Sequence, residues 1–291
     1  MNTSDLASFI AHHQYKSQSE AIQTVWKKNF PMRYAHILNM CNVKVDRVGY
    51  CKRLVKKIFK NTDDVRMSDI LRRYYIYHDN PGYVILLQQQ ILAMVDLRVD
   101  PSHDPSTTQL IRSIALDSLK CKIGIREEDN GIRRYEESIQ TTLTCKNTST
   151  ASMFVYLKNK VRVKIYARID AYDQKNNAVI EHKQRQNQFL YQIPTHERIQ
   201  LYVYMNVQKC QKAVLIQSYR GETRVLDTIQ WNTQEWEYYM SQLQHYMDAF
   251  MKITTHTNQA DQCTFVKNNY LWLDTANHVM NITIMELSFA V

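Results

Sequence analysis

Arg168-Ile169-Asp170-Ala171-Tyr172-Asp173-Gln174-Lys175-Asn176-Asn177-Ala178-Val179-Ile180-Glu181-His182-Lys183 is the stretch that decides the fold. It sets out an acid, a turn, a short apolar run and then Glu-x-Lys. Just ahead and into it, Val161, Val163, Ile165, Ala167 and Ile169 alternate with polar residues, the period of a strand with one buried face. Gln174 to Asn177 is made of turn formers, and Ala178-Val179-Ile180 begins a return strand. The pattern predicts a hairpin with Asp170 near the end of one strand and Glu181 and Lys183 on its partner. Because strand side chains alternate faces, Glu181 and Lys183 point the same way, and a register that sets them beside Asp170 gathers two carboxylates and one ammonium. Two hard anionic ligands suit a hydrated Mg2+ ion. The His182 side chain alternates away from this pair and reads as a packed or surface residue, not a catalytic one.

The flanks supply the rest of an α/β unit. Upstream, Ser106 to Leu119 reads as a helix, with Leu110, Ile111, Ile114, Ala115 and Leu119 at helical spacing. Downstream, Pro194-Thr195 opens a helix running to about Cys210. Lys212 to Tyr219 and Thr223 to Ile229 follow as strands, and Thr233 to Met251 as a last helix. Within the helix after the hairpin, Gln200 and Tyr204 are four apart and share a face.

Asp170, Glu181-x-Lys183 and this order of elements together resemble the PD-(D/E)XK nuclease superfamily. Gln200-x-x-x-Tyr204 after Glu-x-Lys is similar to the RecB-like and phage lambda exonuclease branch, which includes the alkaline exonucleases of large DNA viruses. The resemblance spans roughly residues 106 to 251. It implies a restriction-endonuclease-like α/β core, a central mixed β-sheet flanked by helices. It also implies a metal-dependent deoxyribonuclease, an exonuclease of viral-type DNA processing, recombination or repair. By the same resemblance Asp170 and Glu181 would hold one or two Mg2+ or Mn2+ ions, with the His182 main-chain carbonyl as a further ligand. Lys183 would orient the attacking water, and Gln200 and Tyr204 would position the DNA strand.

That branch carries another acid on the preceding helix, in a Gly-x-x-x-Glu setting. Aligned on Ser106 to Leu119, the two positions hold Gln109 and Ser113. Asp117, one turn further on, is the nearest replacement as a metal ligand. Glu127, Glu128, Glu136 and Glu137 are further candidates beyond the expected helix end. The departure motivates an alternative reading, an inactive nuclease core that binds nucleic acid.

Composition bounds the other classes. The chain has 291 residues and a formal charge of +9, a balance that favours a polyanionic partner, single- or double-stranded DNA on this reading. Five glycines leave no phosphate loop, dinucleotide turn or nucleophile elbow, so no nucleotide cofactor is expected. Six scattered cysteines form neither a disulfide framework nor a zinc pattern, which points to reduced thiols in a nucleus or cytoplasm. No secretory leader or membrane-length apolar run is visible, so a secreted or membrane protein is not expected.

Residues 1–97 read as a helical N-terminal region, 98–105 as a linker loop, and 106–291 as the nuclease core with a C-terminal extension. In the helical region, Lys52, Lys56 and Lys60 form a basic ridge, with Arg53 and Lys57 beside it, opposite Leu54, Val55, Ile58 and Phe59. Such a ridge suits backbone phosphates. Arg162, Lys164 and Arg168 share the alternating face assigned to Asp170, and Arg185 follows Lys183. Arg168 and Arg185 are therefore expected to hold substrate phosphates near the acids.

Overall fold

The structure is a computed structural model, and it describes residues 1–13, 18–41, 47–60, 65–77, 80–148, 150–158, 160–256 and 258–264. Helices come first: α1 (Thr3–Phe9), α2 (Gln18–Asn29), α3 (Pro31–Met40), α4 (Arg47–Lys60), α5 (Val65–Ile76), α6 (Pro81–Asp96) and α7 (Pro105–Ile139). Strands β1 (Thr150–Tyr156), β2 (Arg162–Arg168), β3 (Ala171–Asp173) and β4 (Ala178–Gln184) follow. Then come α8 (Thr195–Gln208), β5 (Lys212–Tyr219), β6 (Glu222–Gln230), α9 (Thr233–Met251) and a π-helical turn at Lys252–His256.

The central sheet has the order β3-β4-β5-β6. β3 and β4 are antiparallel, β4 and β5 parallel, and β5 and β6 antiparallel, so the sheet is mixed. Parallel neighbours require a long crossover, and α8 provides it. β5 turns into β6 through Arg220 and Gly221, both at positive φ (48° and 78°), the backbone of a tight hairpin that glycine adopts without strain. β4 and β5 are buried on both faces along most of their length, as central strands should be.

The predicted hairpin is corrected in one respect. β2 does not continue into the partner of β4; it pairs with β1 in a separate two-stranded ribbon, from Thr150 opposite Arg168 to Tyr156 opposite Arg162. The chain bends at Ile169 and Asp170 and changes sheets, and only Ala171–Asp173 pairs with β4. At the bend the Asp170 carbonyl accepts the Asn147 N–H at 2.9 Å, so the backbone stays satisfied without a ladder partner. After β3 the turn is held as its residues predict: Asp173 accepts from the Asn176 N–H at 3.1 Å and from its side-chain amide at 2.7 Å.

The helix expected to end near Leu119 continues to Ile139, a correction of about twenty residues and the one that matters most for the site. Asp104 caps it, accepting the Thr107 N–H at 2.9 Å, and Gln140 ends it at φ 50°. Its second half crosses the sheet, where Ile132 packs on Ala178, Ile180, Val214 and Ile216. Gly131 permits this approach, because a Cβ there would stand 2.1 Å from His182 Nε2.

Packing also redraws the division expected at residues 98–105. Leu6, Phe9, Ile10, Trp26 and Ile37, from α1 to α3, share one core with β2, β4, α8, β5 and α9. A second core joins α4, α5 and α6 to Ile111, Ala115 and Leu119 in the first half of α7. The N-terminal helices therefore belong to two bodies, and α7 runs through both. Residues 265–291 lie outside the described residues. No helix among the described residues is long and apolar enough to cross a membrane.

Candidate active site

The site forms where β3 ends and β4 continues. Ala171 faces Ile180 across the ladder, so Asp170 arrives opposite Glu181 just past the last pair. The His182 N–H, which a longer β3 would have taken, donates instead to Asp170 Oδ2 at 2.8 Å. N–H and C=O of one strand residue project to the same edge, so the His182 carbonyl faces Asp170 as well.

Side-chain alternation on β4 then sorts the remaining groups. Ala178, Ile180 and His182 face α7, while Val179, Glu181 and Lys183 face α8. Lys183 Nζ pairs with Glu181 Oε1 and donates to Gln200 Oε1 at 3.2 Å. Gln200 in turn donates from Nε2 to the Tyr204 hydroxyl. Asp170, Glu181, Lys183, Gln200 and Tyr204 all line one open cleft of about 530 Å³.

A further acid completes the group. Glu128 projects from α7 on the same face as Gly131 and Ile132, three and four residues on, so the packing that seats α7 on the sheet brings Glu128 to the cleft wall. Its carboxyl pKa is raised to about 8, first by burial and then by the charge of Asp170. Glu181 is likewise held well above the ordinary carboxylate range, by burial and by Asp170, against the opposing pull of Lys183. Burial and the shared neighbour Asp170 therefore favour the protonated forms of Glu128 and Glu181. Glu128 Oε1 and Glu181 Oε2 are buried without a hydrogen-bond partner.

Buried, partnerless carboxylate oxygens lining one cleft are donors that a hard divalent cation could satisfy in place of a proton. Glu128, Asp170, Glu181 and the His182 carbonyl are the oxygens available to one. Among the described residues, no group of three or more His, Cys, Asp or Glu side chains already stands at ligand distance around one point. Lys183 occupies one Glu181 oxygen and the His182 N–H one Asp170 oxygen, so an ion would draw the carboxyls inward.

The cations near the acids differ in character. Burial works to lower the Lys183 pKa, but Glu181, Asp170 and Glu197 outweigh it and raise it, so Lys183 stays an ammonium. Arg168 sits at the cleft rim with Nη2 3.8 Å from Glu128. Arg185 does not face the cleft: its guanidinium makes two bonds to Glu197, at 2.6 and 2.8 Å, and another to Gln217. His182 packs against Gly131 and contacts Ser218 Oγ at 2.8 Å, and burial lowers its pKa to about 4, so it is neutral.

Other expected site residues lie elsewhere. Asp117 is exposed on α7, 3.8 Å from Lys120 and about 16 Å along the axis from Glu128, too far to share its ion. Lys52, Lys56 and Lys60 are exposed on α4, with Lys52 paired to Glu20 at 2.9 Å. They belong to the second helical body, not to the cleft. Sequence reasoning ranked Glu128 below Asp117, although Gly124-x-x-x-Glu128 carries the expected spacing. Ending the helix at Leu119 placed the motif fifteen residues too early.

No protein-family model matches the chain, and comparison with curated proteins finds no match. Solved structures with a similar course include SSO0001, at 12% identity and TM-score 0.38, covering 64% of this chain and 87% of that one. LHK-Exo in complex with dAMP aligns at 8% identity and TM-score 0.34, covering 70% of this chain and 93% of that one. A phage related exonuclease from Haemophilus somnus 129PT aligns at 13% identity and TM-score 0.31, covering 74% of this chain and 93% of that one; at these values the likeness is one of loose chain course.

Proposed function

We propose that this chain is a divalent-metal-dependent phosphodiester hydrolase acting on DNA. The observation that carries the reading is the set of three buried carboxyls, Glu128, Asp170 and Glu181, two of which, Glu128 and Glu181, are held well above the ordinary carboxylate range, beside the Lys183 ammonium in an open cleft. These acids and the His182 carbonyl would bind one or two Mg2+ or Mn2+ ions. Such ions sharpen a water nucleophile and stabilise the leaving oxygen.

The chain's own residues do the rest. Lys183 stays charged, so its role is to orient water and offset charge on the phosphate, not to accept a proton. Gln200 and Tyr204 are the supports of Lys183. Tyr204 is buried, with 3% exposure, and lines the cleft together with Gln200. Arg168 at the rim is positioned to meet a phosphodiester.

An exonuclease of viral-type DNA processing, recombination or repair is the finer reading, supported by the resemblance of Gln200-x-x-x-Tyr204. The alternative of an inactive nucleic-acid-binding core rests on a missing helix acid, and we read Glu128 as that acid. The test is incubation with end-labelled linear DNA and with closed circular DNA, in Mg2+, in Mn2+ and in chelator. An exonuclease shortens the linear substrate, spares the circle and stops in chelator. Cleavage of both forms would make it an endonuclease, and no cleavage with either metal would refute the hydrolase.

A further inference from the structure

The β1–β2 ribbon has one face in the core and one in solvent. Val163, Ile165 and Ala167 of β2 are buried, and the alternate residues Arg162, Lys164, Tyr166 and Arg168 are exposed. Opposite them on β1 stand Tyr156, Phe154, Ser152 and Thr150. This outward face holds three cations and three aromatic rings and no acid. The rings are not tucked away: Phe154 and Tyr166 are each 43% exposed and Tyr156 74%. Large aromatics held in solvent on a regular strand face are an unusual use of such residues.

Cations sit on the rings. Arg162 Cζ is 4.6 Å from the Phe154 centroid, and Lys164 Nζ is 5.4 Å from Phe154 and 4.9 Å from Tyr166. Lys28 of α2 adds a cation 5.3 Å from Tyr166. Phe154 and Tyr166 are thus each paired with a charge that can meet a phosphate, and Tyr156, the most exposed ring, stands opposite Arg162. The face is also continuous with the site, because Thr150, Tyr166 and Arg168 line the same cleft as Asp170 and Glu181. From that end it runs the length of β2, about 20 Å at strand rise.

We propose that this face is a track for single-stranded nucleic acid leading into the cleft. Its place beside the acids rests on the nuclease reading, but its binding does not. Stacking platforms interleaved with cations suit single strands, whose bases are free to leave one another and lie on a ring. Duplex bases are already stacked and show phosphates outward, so a duplex would gain from the cations and little from the rings. At the cleft end Glu128 lies 3.8 Å from the Arg168 guanidinium. None of the eight residues of the face is acidic, so the face itself sets no like charge against a polyanion.

The test is fluorescence anisotropy with labelled oligo(dT) and with a hairpin duplex of equal length, in chelator so that nothing is cut. The double variant Phe154→Ala, Tyr156→Ala should lose single-strand affinity by roughly 5- to 150-fold per base stack, at about 1–3 kcal/mol each. Duplex affinity should change little. The double variant Arg162→Ala, Lys164→Ala should lower the log-log salt slope on oligo(dT) by about 0.7 per lost contact. Tyr156→Phe should restore what Tyr156→Ala loses. Single-strand affinity unchanged in the aromatic variant, or duplex affinity falling in parallel, overturns the track. If the double variant fails to fold, Tyr156→Ala alone and photocrosslinking of iododeoxyuridine oligonucleotides decide. Crosslinks at Phe154, Tyr156 or Tyr166 support the track, and crosslinks only elsewhere refute it. Cleavage with Mg2+ separates the two proposals: a cutting enzyme with no track loses only the track, and a track without cutting loses only the hydrolase.

Discussion

Replacing Glu128 by Gln should make the metal-free protein more stable at alkaline pH while removing its activity. A carboxyl held at about 8 in place of its ordinary 4.5 carries roughly 4–5 kcal/mol, at about 1.36 kcal/mol for each power of ten in proton affinity. One side of the group faces an open, water-filled cleft, and screening there brings the figure to about 2 kcal/mol. The sign follows from proton uptake. Between 4.5 and 8 the folded chain keeps a proton that the unfolded chain has released, so stability falls as pH rises through that window. Below 4.5 the penalty is absent and above 8 it is complete. Gln cannot ionise, so the penalty disappears. Thermal denaturation of wild type and Glu128→Gln in chelator should coincide near pH 4.5 and separate by a few degrees at pH 8.5, the variant melting higher. A variant that melts lower at pH 8.5, or a gap that does not grow with pH, would refute the reading of Glu128 as a crowded carboxyl.

Other expectations follow from single contacts. Gly131→Ala should destabilise by about 1–3 kcal/mol through overpacking against His182, although Ala in an open helix position would stabilise by roughly 1 kcal/mol; a rise in melting temperature would show that α7 does not press on β4 there. Gln200→Ala should lower kcat with little change in Mn2+ affinity, because it loosens Lys183 without touching a ligand; unchanged kcat would sever Gln200 from the mechanism. Tyr204→Phe should slow cleavage and cost about 1 kcal/mol, whereas Tyr204→Ala should cost roughly 3–5 kcal/mol; equal melting of the two variants would contradict the burial of the ring. Joint replacement of Lys52, Lys56 and Lys60 by Ala should flatten the salt dependence of DNA binding by up to about 0.9 per lost contact on duplex, and an unchanged slope would leave that ridge to solvent.

Strand alternation and turn residues are local signals, and they made most of the site legible. Asp170, Glu181 and Lys183 could be placed together because a two-residue period and a turn at Gln174 to Asn177 leave few registers. The bend at Asp170 was not legible, since Ile169 and Asp170 carry no glycine or proline and continue the apolar alternation of β2. Glu128 was ranked too low for a different reason. Gly124, Gly131 and the charged run Arg126 to Asp129 weaken a helix locally, and tertiary packing keeps α7 intact by setting Ile132 on the sheet and Gly131 against His182. A glycine that reads as a helix breaker in the sequence is here a point of close approach. Arg185 illustrates the limit of proximity in sequence, because two residues from Lys183 its guanidinium turns to Glu197. The split of the N-terminal helices between two cores depends on long-range packing that no local pattern encodes.

Mn2+ binding, read by the loss of the free-ion electron paramagnetic resonance signal, tests the central claim most directly. Wild-type protein should take up one or two ions per chain at neutral pH, with affinity falling as pH drops and the carboxyls regain their protons. Asp170→Asn, Glu181→Gln and Glu128→Gln should each weaken uptake by at least about tenfold, roughly 1.4 kcal/mol, while Asp117→Asn leaves it unchanged. No uptake by the wild type, or equal uptake by the three cleft variants, would contradict a metal centre built on Glu128, Asp170 and Glu181.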